Sequence, residues 1–215
     1  MRDRLIISKP HVVIVEGTDE ERFFGEFFLR NSIENIQIIN SKGVQNIRTT
    51  FQQICLTPQF ISHDIQSLSI IRDADSDPQS SVESISTIFS NSGIRGNIVH
   101  NSFTICSYPN SSTTVFCGFF IVPGNERPGT LETLFLEFIR SQENCNCIES
   151  FFSCLENSKF DIPSNKDKSF VQTYVSVHPV GVRLIGEAAQ AGVWEFEHQA
   201  FSEVLQFLMM QSRLE

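Results

Sequence analysis

The sequence predicts an α/β fold: a mainly parallel sheet flanked by helices, with a helical C-terminal extension. The first indication is that short β-branched and aliphatic runs alternate with amphipathic helical patterns in the first part of the chain. The second is that the patterns further along are helical only. We therefore expect an α/β domain over residues 1–125 and a helical extension over residues 126–215 that packs on it.

The strand predictions rest on four apolar runs, Val12–Val15, Ile36–Ile39, Leu68–Ile71 and Val115–Val122. Between them, apolar residues recur at helical spacing in three groups: Phe23–Phe28, Val44–Ile54 and Val82–Phe89. Residues 97–112 fit either a short additional strand or an irregular loop. Strands that alternate with helices in this way predict parallel pairing.

The start of the first helix carries a capping-box pattern. Thr18 is followed three residues later by Glu21, so each side chain is expected to accept a hydrogen bond from the other's backbone N–H group. The pattern places the start of the helix directly after Gly17.

Four helical patterns make up the extension: Leu131–Phe138, Phe170–Tyr174, Leu184–Ala191 and Phe201–Leu208. The polar stretch Asn157–Lys168 contains a proline and is predicted to be an exposed loop. No internal repeat or low-complexity segment interrupts the pattern.

Composition limits the possible functions. The 215 residues are 40% hydrophobic and 19% charged, which is typical of a folded globular chain. The formal net charge of −9 argues against a broad basic surface that coats nucleic acid. No apolar run approaches the roughly twenty residues of a membrane span, and no secretory signal is evident, so we expect a cytoplasmic protein with reduced cysteines.

Acidic residues follow two of the predicted strands. Glu16 comes directly after the first strand, and Asp73 and Asp75 come at the end of the third. Parallel strands bring their carboxyl ends to one edge of the sheet, which is where open α/β sheets bind ligands. Strand alternation is expected to point Asp73 and Asp75 to the same side. Carboxylates that cluster in this way repel one another, and a hard cation such as Mg²⁺ or Mn²⁺ is the usual compensation.

The spacing within the acidic motif at residues 73–78 distinguishes it from some other known acidic motifs. An EF-hand would need Gly and Glu where the chain has Pro78 and Ser84, so that motif is excluded. A DxDxT phosphatase motif would need Thr in place of Asp77 and a position on the first strand. A glycosyltransferase DxD motif fits the spacing but leaves Glu16 unexplained. Structural roles are also open, because Asp and Pro form turns and an acid at a helix N-terminus is favoured by the helix dipole.

Two segments together resemble the Toprim domain. VVIVEGTD at residues 12–19 and IIRDAD at residues 70–75 are similar to the motifs that topoisomerases, bacterial primases, recombination-repair proteins, ribosomal-RNA maturation nucleases and overcoming-lysogenization-defect (OLD) nucleases share. The resemblance covers about residues 10–125. GFFIVPGNERPGTLETLFL at residues 118–136 resembles a Toprim-related bacterial family of unknown function close to the OLD nucleases.

The resemblance implies metal-assisted phosphoryl transfer on DNA or RNA with Mg²⁺ or Mn²⁺, in the form of one or two ions. Glu16 would act as general acid/base or as a metal ligand, and Asp73 would hold metal at the catalytic centre. Asp75 and, as an extra ligand, Asp77 would contribute further oxygens. Glu132 follows the fourth predicted strand and could complete a second metal site, although an acid in the first turn of a helix is also favoured on structural grounds.

A phosphodiester hydrolase also needs positive charge against the phosphate. Lys166 and Lys168 are the candidates, and Lys168 is preferred as a catalytic residue, although lysines in loops are often merely solvated. Arg72 flanks the acidic motif, but strand alternation is expected to point it away from Asp73. The histidines show no ligand spacing, and no role is assigned to them.

The chain has no room for the DNA-gate domain of a topoisomerase or the template-handling domains of a primase. A small metal-dependent nuclease is therefore the favoured function, because Glu16, Asp73 and Asp75 are all present. The alternative is a non-catalytic or regulated Toprim subunit. OLD-like Toprim domains are often associated with ATPases and this chain has no ATPase motif, so a separately encoded ATPase or nucleic-acid-binding protein would be its partner.

Overall fold

The computed structural model describes residues 5–108, 114–124, 127–163 and 165–215. It confirms the predicted fold class. The strands are β1 (His11–Val15), β2 (Ile36–Asn40), β3 (Ser67–Asp73), β4 (Ser102–Ser107) and β5 (Thr114–Val122). They form one five-stranded sheet in the order β2-β1-β3-β5-β4, and only β4 is antiparallel to its neighbour.

Helices cover both faces of this sheet. The first part of the chain contributes α1 (Thr18–Arg30), a 3-10 turn (Val44–Asn46), α2 (Ile47–Cys55), α3 (Pro58–Ile61) and α4 (Pro78–Asn91). The later part contributes α5 (Leu131–Arg140), α6 (Cys145–Asn157), α7 (Lys166–Val177), α8 (Ile185–Gln190), a 3-10 turn (Gln199–Phe201) and α9 (Ser202–Gln211). None of the helices within the described ranges is both long and apolar enough to cross a membrane.

The ambiguous segment at residues 97–112 forms a strand, because β4 spans Ser102–Ser107 and pairs with β5; its residues 109–112 lie outside the described part of the chain. Helix α6 was not predicted. Its apolar residues recur at helical spacing, but only Cys145 and Ile148 are buried. The predicted loop Asn157–Lys168 is shorter than expected, since α6 includes Asn157 and α7 begins at Lys166.

The predicted capping box at α1 is wrong. No side chain caps this helix, whose N-cap residue is Gly17. The Nδ2 group of Asn40, at the end of β2, instead donates to Thr18 Oγ1 at 3.2 Å and to Glu21 Oε2 at 2.9 Å. The two side chains therefore tie α1 to the neighbouring strand rather than to each other.

Each face of the sheet has its own apolar core. The core on one face combines Phe side chains of α1 with residues from α5, α7, α8 and α9, so it contains residues from both predicted parts of the chain. The other core lies under α2, α3 and α4. The proposed boundary at residue 125 stays a prediction.

A buried polar network joins the last helix to the centre of the sheet. Gln211 Nε2 donates to the carbonyl oxygen of Val12 and to Ser67 Oγ, each at 3.0 Å, and Gln211 Oε1 accepts from Ser69 Oγ at 2.8 Å. His11 Nδ1 lies 2.9 Å from Ser67 Oγ. All four side chains of this network are almost completely buried. Because buried polar atoms are costly when unpaired, α9 is fixed against β1 and β3.

Candidate acidic site at the sheet edge

Carboxyl groups from four elements meet at the carboxyl end of the central strands. Glu16 follows β1 and Asp73 ends β3, while Glu20 and Glu132 lie in the first turns of α1 and α5. The parallel pairing of β1 with β3 brings the first two together, as predicted. Glu20 was not predicted, although its place in the first turn of the helix that follows β1 puts it at the same edge of the sheet as Glu16.

Asp73 contacts a helix N-terminus. Its Oδ1 accepts a hydrogen bond from the backbone N–H of Leu131 at 3.0 Å, so it caps the N-terminus of α5. Burial raises the pKa of the Asp73 carboxyl well above its usual range, and the charges of Glu16, Glu132 and Glu20 raise it further. Ionised Asp73 is therefore held in surroundings that oppose its charge.

Glu16 lies between a backbone donor and a cation. Its Oε1 accepts from the backbone N–H of Asp73 at 3.2 Å and lies 3.7 Å from Arg72 Nε. Burial raises the pKa of Glu16, and these two contacts oppose that rise without cancelling it. Arg72, which strand alternation directs away from Asp73, thus serves Glu16 instead.

Glu132 pairs with Lys168, the lysine predicted to be catalytic. Lys168 Nζ lies 3.7 Å from Glu132 Oε1, and Thr130 Oγ1 donates to Glu132 Oε2 at 2.8 Å. The Glu132 side chain is only 14% exposed, whereas that of Lys168 is 54% exposed. Both line a cleft of about 400 Å³ together with Glu20 and Arg22.

The site is left with an excess of negative charge. Two of its four carboxyl groups have a described ion pair, Glu16 with Arg72 and Glu132 with Lys168. Burial also raises the pKa of Glu20, which the charges of Asp19 and Glu132 raise further. The site therefore favours either bound protons or a bound cation.

Asp75 and Asp77 lie differently from the expected arrangement. The chain leaves the strand geometry at Asp73, and Asp75 has a left-handed backbone (φ 54°), so strand alternation does not orient its side chain. The Asp75 side chain is exposed, and its carbonyl accepts from the N–H of Gly129 at 2.7 Å. Asp77 is also exposed and caps α4, because its Oδ1 accepts from the N–H of Ser80 at 3.2 Å.

The residue types suit a hard divalent cation, because the ligands on offer are carboxylate oxygens that repel one another. As they stand, no three His, Cys, Asp or Glu side chains of the described residues form a group that could hold a metal ion. A metal would therefore have to draw the side chains of this acidic site together.

The fold and site define an α/β protein with an acidic cluster at the carboxyl edge of its sheet. The chain belongs to a family described as protein of unknown function (DUF3226), whose sequence profile matches residues 10–210. Its fold is similar to that of hypothetical protein PH0156 from Pyrococcus horikoshii OT3. The two are 13% identical, with a TM-score of 0.56 over 94% of this chain and 95% of that one. No curated protein matches the sequence.

Proposed function

We propose that this protein is a Mg²⁺- or Mn²⁺-dependent phosphodiester hydrolase that acts on DNA or RNA through a Toprim-like acidic site. The observation that carries the proposal is that the partly buried Asp73 carboxyl lies among those of Glu16, Glu20 and Glu132 at one edge of the sheet. A fold rarely keeps such a group for stability alone, because its ionised form is opposed by burial and by like charge. The sequence motifs that resemble Toprim domains include Glu16 and Asp73, and both lie in this cluster.

Glu16, Asp73 and Glu132 would hold the metal ion, with Glu20 as an added ligand. Asp75 and Asp77 stay predicted ligands that would have to approach from exposed positions. When bound, the ion would polarise the phosphate and lower the pKa of a coordinated water. A bound cation would also offset the repulsion between the carboxylates of the site.

Two side chains of the site would supply proton transfer and a contact to the phosphate. Glu16, with its raised pKa, is suited to accept or return a proton at the carboxylate oxygens. Lys168 can leave Glu132 and contact a phosphate oxygen, since its ammonium group is largely exposed. The pair is long at 3.7 Å, and a cation held by Glu132 would replace the positive charge that this mostly buried carboxylate loses when Lys168 moves.

A nuclease assay with a matched pair of variants tests the proposal. Purified protein is incubated with single- and double-stranded DNA and RNA in Mn²⁺. We expect cleavage that EDTA abolishes and that Asp73→Asn lowers by about a hundredfold or more, since the metal site would be weakened. Asp64→Asn is the control, because exposed Asp64 precedes β3 at the opposite end of that strand and should leave cleavage unchanged. Cleavage that survives Asp73→Asn would refute the proposed site.

The second candidate is a regulated Toprim subunit that needs a separate ATPase or nucleic-acid-binding partner. The net charge of −9 favours it, because the chain on its own should attract nucleic acid weakly. Protein that binds Mn²⁺ but cleaves none of the substrates alone, and cleaves after addition of an ATPase encoded beside it, would support this candidate. Cleavage by the isolated chain would count against it.

A further inference from the structure

Arg72 has a position that the proposed chemistry leaves unexplained. The register of β1 with β3 pairs Ile14 with Ile70, and two residues further along the same register places Glu16 beside Arg72. The side chains of Arg72 and Glu16 are 15% and 22% exposed, and Arg72 Nε lies 3.7 Å from Glu16 Oε1. A guanidinium group is therefore largely withdrawn from water at the edge of the acidic site.

The contact is electrostatic rather than a hydrogen bond. Arg72 Nε is buried and makes no hydrogen bond within the described part of the structure, and 3.7 Å is too long for one. Arginines that serve only to brace a fold commonly make short bidentate hydrogen bonds to carboxylates. Arg72 instead holds its positive charge 3.7 Å from one oxygen of Glu16, and its Nε–H group has no acceptor among the described residues.

We propose that Arg72 is the resident counter-cation of Glu16 and that it sets how tightly the acidic site binds a divalent cation. This inference rests on the proposed function, since it concerns the same metal site. In the metal-free protein Arg72 offsets the repulsion that Glu16 meets from Glu20 and Asp75. A divalent ion that approaches Glu16 meets the same positive charge, which weakens its binding. Arg72 is thus a positioning residue that acts through Glu16.

Removing the charge should tighten metal binding. A unit charge a few ångströms from a divalent ion changes the binding energy enough for at least about a tenfold effect, even at an effective dielectric constant near 20 and with screening. Arg72→Met keeps the length of the side chain and removes the charge. Arg72→Lys keeps the charge and should stay within about threefold of the wild-type dissociation constant.

The experiment measures the dissociation constant of Mn²⁺ by titration calorimetry and by the electron paramagnetic resonance signal of free Mn²⁺, at about pH 8. Arg30→Met is the control, because it removes an equal charge from the far end of α1, where Arg30 pairs with Glu26. We expect it to leave the dissociation constant within about twofold of wild type. The melting temperature of each variant in EDTA verifies that it folds.

A double-mutant cycle with Glu16→Gln separates this role from a purely structural one. If Arg72 acts through Glu16, Arg72→Met should tighten Mn²⁺ binding in the wild-type background and have little effect in the Glu16→Gln background. Unchanged or weaker Mn²⁺ binding by Arg72→Met, with wild-type protein that binds Mn²⁺, overturns the inference and leaves the proposed metal site standing. Wild-type protein that binds no Mn²⁺ overturns both.

Discussion

Replacing Asp73 by Asn should make the metal-free protein more stable. The amide oxygen of Asn can still accept the hydrogen bond from the N–H of Leu131, so the cap on α5 is retained. The substitution removes a partly buried negative charge that Glu16, Glu132 and Glu20 oppose. A site selected for chemistry often carries such a cost in stability.

The size of the effect follows from the charges at the site. One pair of like charges at roughly 6 Å costs about 3 kcal/mol at an effective dielectric constant near 20. Loss of the attraction between the ionised carboxyl and the α5 dipole gives back about 1 kcal/mol. The net gain of about 2 kcal/mol corresponds to a rise in melting temperature of roughly 4–8 °C for a chain of this size.

Thermal melts of wild type and Asp73→Asn, each in EDTA and in Mn²⁺, test this reasoning. A ligand that binds only the folded state stabilises it by about 2.7 kcal/mol at a hundredfold excess over its dissociation constant. We expect the variant to melt higher than wild type in EDTA and to lose most of the Mn²⁺-induced rise. The control Asp64→Asn should change the free energy of unfolding by no more than about 0.5 kcal/mol, both in EDTA and in Mn²⁺. An Asp73→Asn protein that melts lower in EDTA and keeps the full Mn²⁺ response would show that Asp73 is only a helix cap.

Three further outcomes can be measured by urea unfolding. The raised pKa values of Asp73, Glu16 and Glu20 mean that the folded state binds more protons than the unfolded state. Above about pH 6.5, where His11 is neutral in both states, metal-free stability should therefore fall as the pH rises to 8, and Mn²⁺ should flatten this slope. A stability that rises with pH in this window would contradict the assignment. Burial lowers the pKa of His11 from 6.5, so its contribution to stability should be lost as the pH falls below that value, and His11→Asn should remove this part of the acid dependence. Gln211→Ala should cost about 2–4 kcal/mol by leaving buried polar atoms of β1 and β3 unpaired, and a loss below about 1 kcal/mol would mean that water replaces the side chain.

Local patterns were sufficient to predict most of the fold. The buried strands of the centre, β1, β3 and β5, are continuous apolar runs because both of their faces are covered. Helix α6 was missed although Cys145, Ile148 and Phe152 follow a helical spacing, and only two of its residues are buried. The edge strand β4 was ambiguous because only Cys106 of its six residues is buried, so burial constrains its sequence little.

The site was partly predictable from the sequence. The sequence shows where a strand ends, but it does not show where the side chains of the residues after the strand point. Glu16 and Asp73 meet as parallel pairing requires. Asp75 does not follow, because strand geometry ends two residues earlier and its backbone turns to positive φ. The contact of Arg72 with Glu16 depends on the register between β1 and β3. The alternation of side chains along one strand gives no information on that register.

The network around Gln211 has a consequence for the order in which the chain can fold during synthesis. The side chain that satisfies Ser67 and the carbonyl of Val12 lies 144 and 199 positions later in the sequence. On the ribosome, the two central strands are therefore made long before the amide that completes their hydrogen bonding. Until then these polar atoms need water, which keeps the middle of the sheet from closing. Nascent chains that stop before α9 should therefore be cleaved by proteases and bound by chaperones more readily than the longer chain. We expect the sheet to become fully protected only after α9 has been synthesised.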